Sequence, residues 1–528
     1  MGIEERTHMI APEGFLFHAI PLTALFLTGL LLAPYSQAFA QELTPEKIEQ
    51  AILQQAPAVN ADPMRPAFHL TPPAGCMGDP NGGIYHDGWY HIFYGLYPFA
   101  HHPGGWYWAH ARSKDMLHWE PMKTGLTPAF ELGLHHIGSG STIVTRGGAK
   151  LAFYSEGQDG VMKFWRAEFD DDALSSWKHT GKNPVLTLDH PGLPPFDKFW
   201  RDPFVFAAEG RTYLIACADL LEEDYVPVPI FEARDAALTG WDYKGLLFTY
   251  PKHKARNFEV PELRPLGGKW IFLASTDAPV DRCRYFIGDF EPETLKFTPS
   301  AEGSLDDSGH YYAQETILDD SGGLYVMAWM PGWDRDWLPT YMNEPPKNSS
   351  TLWNGCFALP RKLTLGPNGQ LIQQPVESLK QLRGKHITLQ GRDLPVKGPI
   401  TELTVLEEVR GDQLELALEF DLHAASMCGL NVLCDAEGKG GLFINWSGNV
   451  LNVDGAMVPL DDWRPGQPIK MRIFIDKMLV EVFINGGTHC VSRQVPRENI
   501  KGDHVALTRL GGTARLTSLD TWKMRSIN

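Results

Sequence analysis

The stretch Gly88-Trp89-Tyr90-His91-Ile92-Phe93-Tyr94 sets the pattern of the whole chain, because a glycine turn opens a short strand rich in aromatic residues. The same pattern returns at intervals of 55 to 62 residues, with the opening glycines at Gly148, Gly210, Gly268 and Gly323. Strand-rich repeats of this length, punctuated by glycine, are typical of a β-propeller in which each repeat forms one blade. The sequence therefore predicts an all-β protein that contains a five-bladed β-propeller.

A polar or acidic residue lies eight or nine positions before each of these glycines. The equivalent positions are Asp79, Ser139, Asp202, Glu259, and Gln314 or Glu315. Equivalent positions of a propeller are related by rotation about one axis, so side chains on the innermost strands converge at one end of the central channel. The repeat alone predicts that Asp79, Asp202 and Glu259 share a pocket.

The composition describes a soluble globular protein with 43% hydrophobic and 21% charged residues. A net charge of −17 argues against nucleic acid and anionic membrane surfaces as partners. The sequence has no dinucleotide or phosphate-binding glycine fingerprint and no HExxH or CxxC spacing. We therefore predict no cofactor and no metal.

The N-terminal 40 residues resemble an export signal. The apolar run 22–32 is too short and too close to Pro21 and Pro34 to span a bilayer well, and Ala38-Phe39-Ala40 fits a cleavage site. Export to the periplasm, the cell surface or the medium is predicted without stable membrane insertion, and a membrane anchor is the alternative.

The mature chain divides into three parts. Residues 41–65 read as a helix from Thr44 to Gln55 and a linker, and residues 66–383 hold the five repeats and a final strand that closes the ring. Residues 384–528 alternate polar and apolar positions, for example in Leu414–Phe420 and Met471–Ile475, as half-buried antiparallel strands do. This texture predicts a C-terminal β-sandwich.

Several polar clusters have simpler explanations than metal or disulfide chemistry. The seven cysteines are odd in number and dispersed, so buried free thiols are favoured, although Cys428 and Cys434 lie close enough in sequence to pair. The pairs His101-His102 and His135-His136 lack a ligand spacing. The segments 306–309 and 319–322 read as aspartate-rich turns rather than calcium loops.

The ordered set Asp79-Pro80-Asn81-Gly82, Ser139-Gly140-Ser141, Arg201-Asp202-Pro203 and Glu259-Val260-Pro261 resembles glycoside hydrolase family 32, the invertases, levanases and inulinases. Further matches are the segments 108–113, 359–361 and 480–483, so the resemblance covers about residues 69–522. It implies a retaining glycosidase that releases fructose from β-fructofuranosides, found in sucrose-like substrates or fructans.

The resemblance implies that Asp79 is the nucleophile, that Glu259 is the general acid/base, and that Asp202 binds fructose hydroxyl groups. Retaining glycosidases need two such carboxylates, and the acid must hold its proton near neutral pH. The residues expected to bind substrate are Asn81, Trp106, Trp108, Ser139, Arg201, Tyr312 and Gln314.

Two glycines depart from the family pattern. Gly78 stands where an asparagine is usual and Gly95 where a glutamine is usual. Because glycine removes the amide groups and leaves space, we expect an enlarged pocket that accepts a bulkier fructoside. The alternatives are a fructosyltransferase and a carbohydrate-binding propeller whose site has decayed.

Overall fold

The computed structural model describes residues 45–97, 106–123, 125–128, 134, 136–158, 161–179, 183–276, 282–331, 353–394, 401–461 and 463–527, which lie in one compact unit. The predicted export signal lies outside these residues. Within them, helix is confined to α1 (Pro45–Asn60) and two 3₁₀ helices, Glu377–Leu382 and Arg497–Asn499. The rest of the regular structure is β-strand, as predicted.

Helix α1 is longer than the sequence predicted. It continues past Gln55 through Pro57 to Asn60. Proline usually ends a helix because it lacks an N–H donor. Here the last turn is held by packing, since Val59 is buried against Ala74 and Trp353.

The described residues between 75 and 375 form five sheets, whose first strands follow one another along the chain. The first sheet contains β1 (Gly75–His86), β2 (Trp89–Tyr97), β3 (Tyr107–Ser113), β4 (Trp119–Pro121) and β19 (Trp353–Asn354). The second contains β5 (Ile137–Val144), β6 (Lys150–Gln158), β7 (Val161–Phe169) and β8 (Trp177–His179). The third contains β9 (Arg201–Ala208), β10 (Arg211–Cys217), β11 (Tyr225–Ala233) and β12 (Trp241–Pro251). The fourth contains β13 (Glu259–Leu266), β14 (Lys269–Thr276), β15 (Arg282–Glu291) and β16 (Lys296–Ser304). The fifth contains β17 (Tyr312–Leu318), β18 (Leu324–Met330), β20 (Cys356–Phe357), β21 (Arg361–Leu365) and β22 (Leu371–Pro375).

The repeat glycines lie in the turns between the first and second strands of these sheets. Gly88, Gly148, Gly210 and Gly268 have positive φ values of 76° to 83°, which glycine adopts at little cost. In the fifth sheet Gly322, rather than the predicted Gly323, holds this conformation with a φ of 80°. The repeat in the sequence is therefore a repeat of antiparallel hairpins.

The first strands of the five sheets lie side by side. Strand β5 contacts β1 and β9, strand β13 contacts β9 and β17, and β17 also contacts β1. Strand β19 pairs in parallel with β1, whereas β20 and β21, which follow it directly, belong to the fifth sheet. The segment that starts at Trp353 thus joins the last sheet to the first, as predicted.

The C-terminal residues form two six-stranded sheets. One contains β23 (Arg383–Leu394), β34 (Ala514–Met524), β25 (Gln413–Asp421), β30 (Ile469–Asp476), β31 (Leu479–Ile484) and β32 (His489–Gln494). The other contains β24 (Glu402–Arg410), β33 (His504–Gly511), β26 (Ala425–Cys434), β27 (Leu442–Ser447), β28 (Val450–Val453) and β29 (Ala456–Pro459). Both contribute to one apolar core, with Leu416 and Val482 from the first and Leu430 and Ile444 from the second. The predicted strands are confirmed, and the alternating apolar residues of Leu414–Phe420 and Met471–Ile475 face this core.

A buried network of charges joins the C-terminal sheets to the N-terminal ones. The imidazole of His69 lies between Asp476 Oδ2 at 2.7 Å and Glu481 Oε1 at 3.0 Å, and Arg361 contacts Glu481 Oε2 and Asp306 Oδ2, each at 2.9 Å. Burial alone would lower the pKa of His69, but its two carboxylate partners raise that pKa to about 9. Glu481 therefore has partners that account for its charge without any part in catalysis.

We expect Glu481→Gln to lower the free energy of unfolding by about 3 kcal/mol, because breaking a buried ion network leaves charge uncompensated. The turnover of the folded fraction should stay close to wild type. Denaturant unfolding and kcat measured on the same preparation check both statements. Glu407→Gln, at an exposed position of the same C-terminal sheets, is the control and should alter the free energy of unfolding by less than about 0.5 kcal/mol. A normal unfolding curve with lost activity would instead place Glu481 in the catalytic machinery.

Candidate active site

The three predicted acids lie on the first strands of three different sheets, at irregular points in the backbone. Asp79 lies in β1 where the register with β2 shifts, and Glu259 lies at the corresponding shift of β13. Asp202, Val260 and Ala313 have positive φ values of 57°, 44° and 50°. Such values are uncommon outside glycine and are outliers for a β-branched residue such as valine. Bulges of this kind re-aim side chains, and they cluster here around the candidate acids.

Asp79 is held by hydrogen bonds at its side chain and its backbone. Ser139 Oγ donates to Asp79 Oδ2 at 2.9 Å, and Asn81 Nδ2 donates to the Asp79 carbonyl oxygen at 2.8 Å. Burial and the charges of Glu259 and Asp202 raise the pKa of Asp79 to about 7. The structure therefore brings the three acids close enough to interact, as the repeat predicted.

Glu259 lies between a cation and a phenol. The Arg201 guanidinium contacts Oε1, and the Tyr312 hydroxyl donates to Oε2 at 2.6 Å. Burial raises the pKa of Glu259, Arg201 opposes that shift, and the Asp202 charge adds to it. Because burial and the charge of Glu259 raise the pKa of Asp79 to about 7, the two acids are coupled, and the proton they share titrates as a property of both groups.

Asp202 is fixed by contacts that the sequence did not reveal. Val260 N–H donates to Asp202 Oδ2 at 3.0 Å, and Cys217 Sγ lies 3.4 Å from the same oxygen. The Asp202 N–H donates to Ser155 Oγ at 2.8 Å. The side-chain contacts of Asp202 in the described part of the chain fall on Oδ2.

The spacing of the sequence repeat also indicates the residues that support the acids. Seven positions after the glycines of the first four repeats stand Gly95, Ser155, Cys217 and Ser275. Ser155 accepts from the Asp202 N–H, and Ser275 accepts from the Ala313 N–H at 2.9 Å, so each supports the first strand of the following sheet. Counting forward as well as backward from each glycine would have found them.

Three residues predicted to bind substrate are buried. Trp108 is fully buried and donates to the Gly138 carbonyl, and Gln314 is fully buried and donates to the Val260 carbonyl. Asn81 is 2% exposed, and both ends of its amide group contact backbone. Their side chains are enclosed by the protein and support the strands through these hydrogen bonds, and substrate contact by the three residues stays a prediction. Trp106, Arg201 and Tyr312 are only partly buried, and Ser139 acts through Asp79.

The expectation of open space at Gly78 and Gly95 is wrong. A Cβ atom added to Gly78 would lie 2.8 Å from Trp106 Cζ3, and one added to Gly95 would lie 3.1 Å from Trp106 Cε3. The indole ring of Trp106 therefore fills the volume that the two glycines vacate. The sequence could not show this, because the tryptophan follows Gly78 by 28 positions.

No group of three or more metal-ligating side chains occurs among the described residues. His136 is neutral at ordinary pH, because burial and the nearby charge of Arg201 lower its pKa to about 4. His101, His102 and His135 lie outside the described residues. The aspartate-rich segments are turns, in which Asp306 accepts from Ser308 and Asp319 accepts from Ser321 and Gly323. All seven cysteines lie among the described residues and are buried thiols that form no disulfide.

Comparison with protein families gives two matches that together span most of the chain. The N-terminal domain of glycosyl hydrolases family 32 matches residues 69–375, and the C-terminal domain of the same family matches residues 378–523. The chain is 30% identical to the sucrose-6-phosphate hydrolase of Bacillus subtilis over 487 residues, which covers 86% of this chain and 93% of that protein. It is 26% identical to the raffinose invertase of Escherichia coli, with 90% and 98% covered.

Solved structures show the same fold. Fructan 1-exohydrolase IIa from Cichorium intybus superposes with a TM-score of 0.73 at 20% identity, covering 88% of this chain and 98% of that one. The β-fructofuranosidase of Bombyx mori superposes with a TM-score of 0.71 at 22% identity, covering 91% and 98%. The protein is therefore a glycosidase. It belongs to glycoside hydrolase family 32, as its sequence motifs predicted, and is of the β-fructofuranosidase type.

Proposed function

We propose that this protein is a retaining β-fructosidase in which Asp79 attacks the anomeric carbon and Glu259 serves as acid and base. The observation that carries the proposal is the convergence of three carboxylates from β1, β9 and β13, each held by different partners. The architecture that goes with it is a five-bladed β-propeller formed by the five sheets, followed by a β-sandwich formed by the two six-stranded sheets.

The reaction has two steps, each with a proton transfer. In the first, an Asp79 oxygen forms a bond to C2 of the fructosyl unit while the bond from C2 to the leaving oxygen breaks and Glu259 donates its proton to that oxygen. In the second, water attacks C2, Glu259 takes the proton of that water, and the Asp79 ester is released. Fructose leaves with its original anomeric configuration.

The other site residues prepare these steps. The Arg201 guanidinium and the Tyr312 hydroxyl orient the Glu259 carboxyl between them. Ser139 donates to Asp79 Oδ2, which leaves the second Asp79 oxygen for C2. Asp202 Oδ1 accepts a hydrogen bond from a fructose hydroxyl, and its charge stabilises the positive charge that develops on the ring in the transition state.

The two alternatives have less support. A decayed binding site would not need Ser139, Arg201 and Tyr312 to retain their contacts with the acids. Transfer to a sugar in place of water uses the same residues, and the relatives from Bacillus subtilis and Escherichia coli are named as a hydrolase and an invertase. Chromatography of the products formed at high sucrose concentration distinguishes hydrolysis from transfer, because a transferase forms longer oligosaccharides.

Export from the cytoplasm remains part of the proposal. Its support is the apolar run 22–32 and the small residues 38–40. The described residues contain no helix long and apolar enough to cross a membrane. N-terminal sequencing of the protein produced in its host should give a mature end at Gln41, and an end at Met1 or Gly2 would contradict export through a cleaved signal.

A substrate screen tests the proposed activity. We expect the purified protein to release fructose from at least one of sucrose, sucrose 6-phosphate, raffinose, inulin and levan. Methanol added to the reaction should yield methyl β-fructofuranoside, since a retaining mechanism passes the fructosyl group to alcohols on the original face. Release of no fructose from any of these, or methyl fructoside of inverted configuration, would contradict the proposal.

A further inference from the structure

Trp106 lies against the backbone of two paired strands, at Gly78 in β1 and at Gly95 in β2, close to the proposed nucleophile. Its ring occupies the positions where side chains at Gly78 and Gly95 would begin. Gly78 directly precedes Asp79, and a Cβ atom at Gly95 would lie 3.7 Å from the Asp79 backbone nitrogen. The indole ring therefore lies next to the backbone that carries Asp79.

The two glycines serve this packing and not the backbone conformation. Neither Gly78 nor Gly95 has a positive φ, so the backbone at both positions suits any residue. A Cβ atom at Gly78 would come within 3.0 Å of the ring, closer than real Cβ contacts, and at Gly95 it would be tight. The two glycines and the tryptophan are thus one packed unit.

Trp106 is held both at its backbone and at its ring. The Trp106 carbonyl oxygen accepts from the Ile137 N–H at 3.1 Å, and the ring packs against Tyr97 at 6.2 Å between centroids and against Cys76. Trp106 nevertheless stays partly exposed. An anchored, half-exposed indole is a rigid apolar surface with a defined orientation.

We propose that Trp106 determines specificity by forming an apolar wall against which the C–H face of the fructosyl ring packs, in place of amide hydrogen bonds to its hydroxyl groups. This inference rests on the proposed function. A site that hydrogen-bonds a substrate hydroxyl strongly rejects an analogue that lacks it, whereas an apolar wall does not. The enzyme should therefore accept β-fructofuranosides that lack a hydroxyl group which amides at positions 78 and 95 would have bound, a deoxy class that an amide-lined pocket would disfavour.

A mutant cycle tests whether the three residues act as a unit. Gly78→Ala should lower Tm by roughly 1–3 °C through overpacking, and kcat/KM should fall with it. In a Trp106→Ala background the same change should leave Tm and kcat/KM unaltered, because the methyl group then has room. Gly147→Ala, in an exposed turn without close neighbours, is the control and should change neither. An equal effect of Gly78→Ala in the wild type and in Trp106→Ala would contradict the inference that the three residues form one packed unit.

A substrate series tests the wall itself. The wild type and the variant Gly78→Asn/Gly95→Gln/Trp106→Ala are compared on a fructoside and its four monodeoxy analogues at positions 1, 3, 4 and 6, all with the same leaving group. At one of these four positions, removal of the hydroxyl group from the substrate should lower the kcat/KM of the wild type by less than about 2-fold. The variant should lose roughly 2- to 13-fold for each hydrogen bond its amides regain.

The outcomes separate the two ideas. Equal losses in both proteins at every position would overturn the apolar wall while leaving the fructosidase in place. A wild type that cleaves no fructoside would overturn the proposed function, and the specificity inference with it. A merely structural tryptophan would change all five substrates by one common factor, and that result also counts against the inference.

Discussion

Asp79→Asn is expected to lower kcat on the best fructoside on the order of 10⁴-fold or more, the scale of losing a covalent nucleophile. The amide cannot form the fructosyl ester, so the residual rate should come only from binding and from Glu259. Steady-state kinetics on the purified variant measure the loss. Mass spectrometry of wild type quenched during turnover should place a fructosyl adduct on the peptide that contains Asp79.

The same substitution should not harm the fold. The amide oxygen of the substituted side chain can still accept the hydrogen bond from Ser139, and the change removes a charge that Glu259, Asp202 and burial make unfavourable. Thermal unfolding should therefore show an unchanged or slightly raised Tm. Asp87→Asn in the exposed turn after β1 is the control and should leave activity intact. A variant with near wild-type kcat, or an adduct on another acid, would remove Asp79 from the nucleophile's role.

Glu259→Gln should cost roughly 10²- to 10⁴-fold in kcat on sucrose-like substrates, which need protonation of a poor leaving group. On a fructosyl fluoride the loss in the first step should be much smaller, because fluoride leaves without a proton. Azide, which needs no general base, should then restore turnover and yield a β-fructosyl azide. Glu222→Gln, an exposed change in a nearby loop, is the control and should behave like wild type on all substrates.

The pH profile gives an independent check of the same pair. Activity requires the state in which Asp79 and Glu259 together hold one proton, so kcat/KM should fall at low pH when both are protonated and at high pH when neither is. With Glu259 ionised, the pKa of Asp79 is raised to about 7, so the pair should lose its last proton near neutral pH, and the alkaline limb should begin there. The pH profile of Glu259→Gln on the fructosyl fluoride should have no alkaline limb. An alkaline limb that persists in this variant would show that another group causes it.

The structure changes the interpretation of Gly78 and Gly95, the two positions that depart from the family pattern. Glycine at two places where the resemblance leads one to expect amides suggests a wider pocket, but Trp106 closes that space. The change is therefore one of surface chemistry rather than of size. The two glycines therefore give a larger substrate no additional space.

The hairpins, the order of the sheets and the three acids could all be predicted from the amino-acid sequence. This was possible because Gly88, Gly148, Gly210 and Gly268 each hold a positive φ in a local turn, and the spacing within a hairpin is fixed by its two strands. A residue eight or nine positions before such a turn must lie at the same end of the first strand in every repeat. The alternating pattern of Leu414–Phe420 predicted a C-terminal strand for the same local reason.

Which side chains face the pocket, and what fills it, depends on packing between sheets. Trp108 is enclosed by Ile137 and Tyr154 of the second sheet, and the Gln314 amide donates to the Val260 carbonyl of the fourth sheet. His69 meets Asp476 across 407 positions of sequence. Such contacts join residues that local spacing does not relate, since a side chain's surroundings are set by the sheets that pack around it and not by the hairpin that carries it.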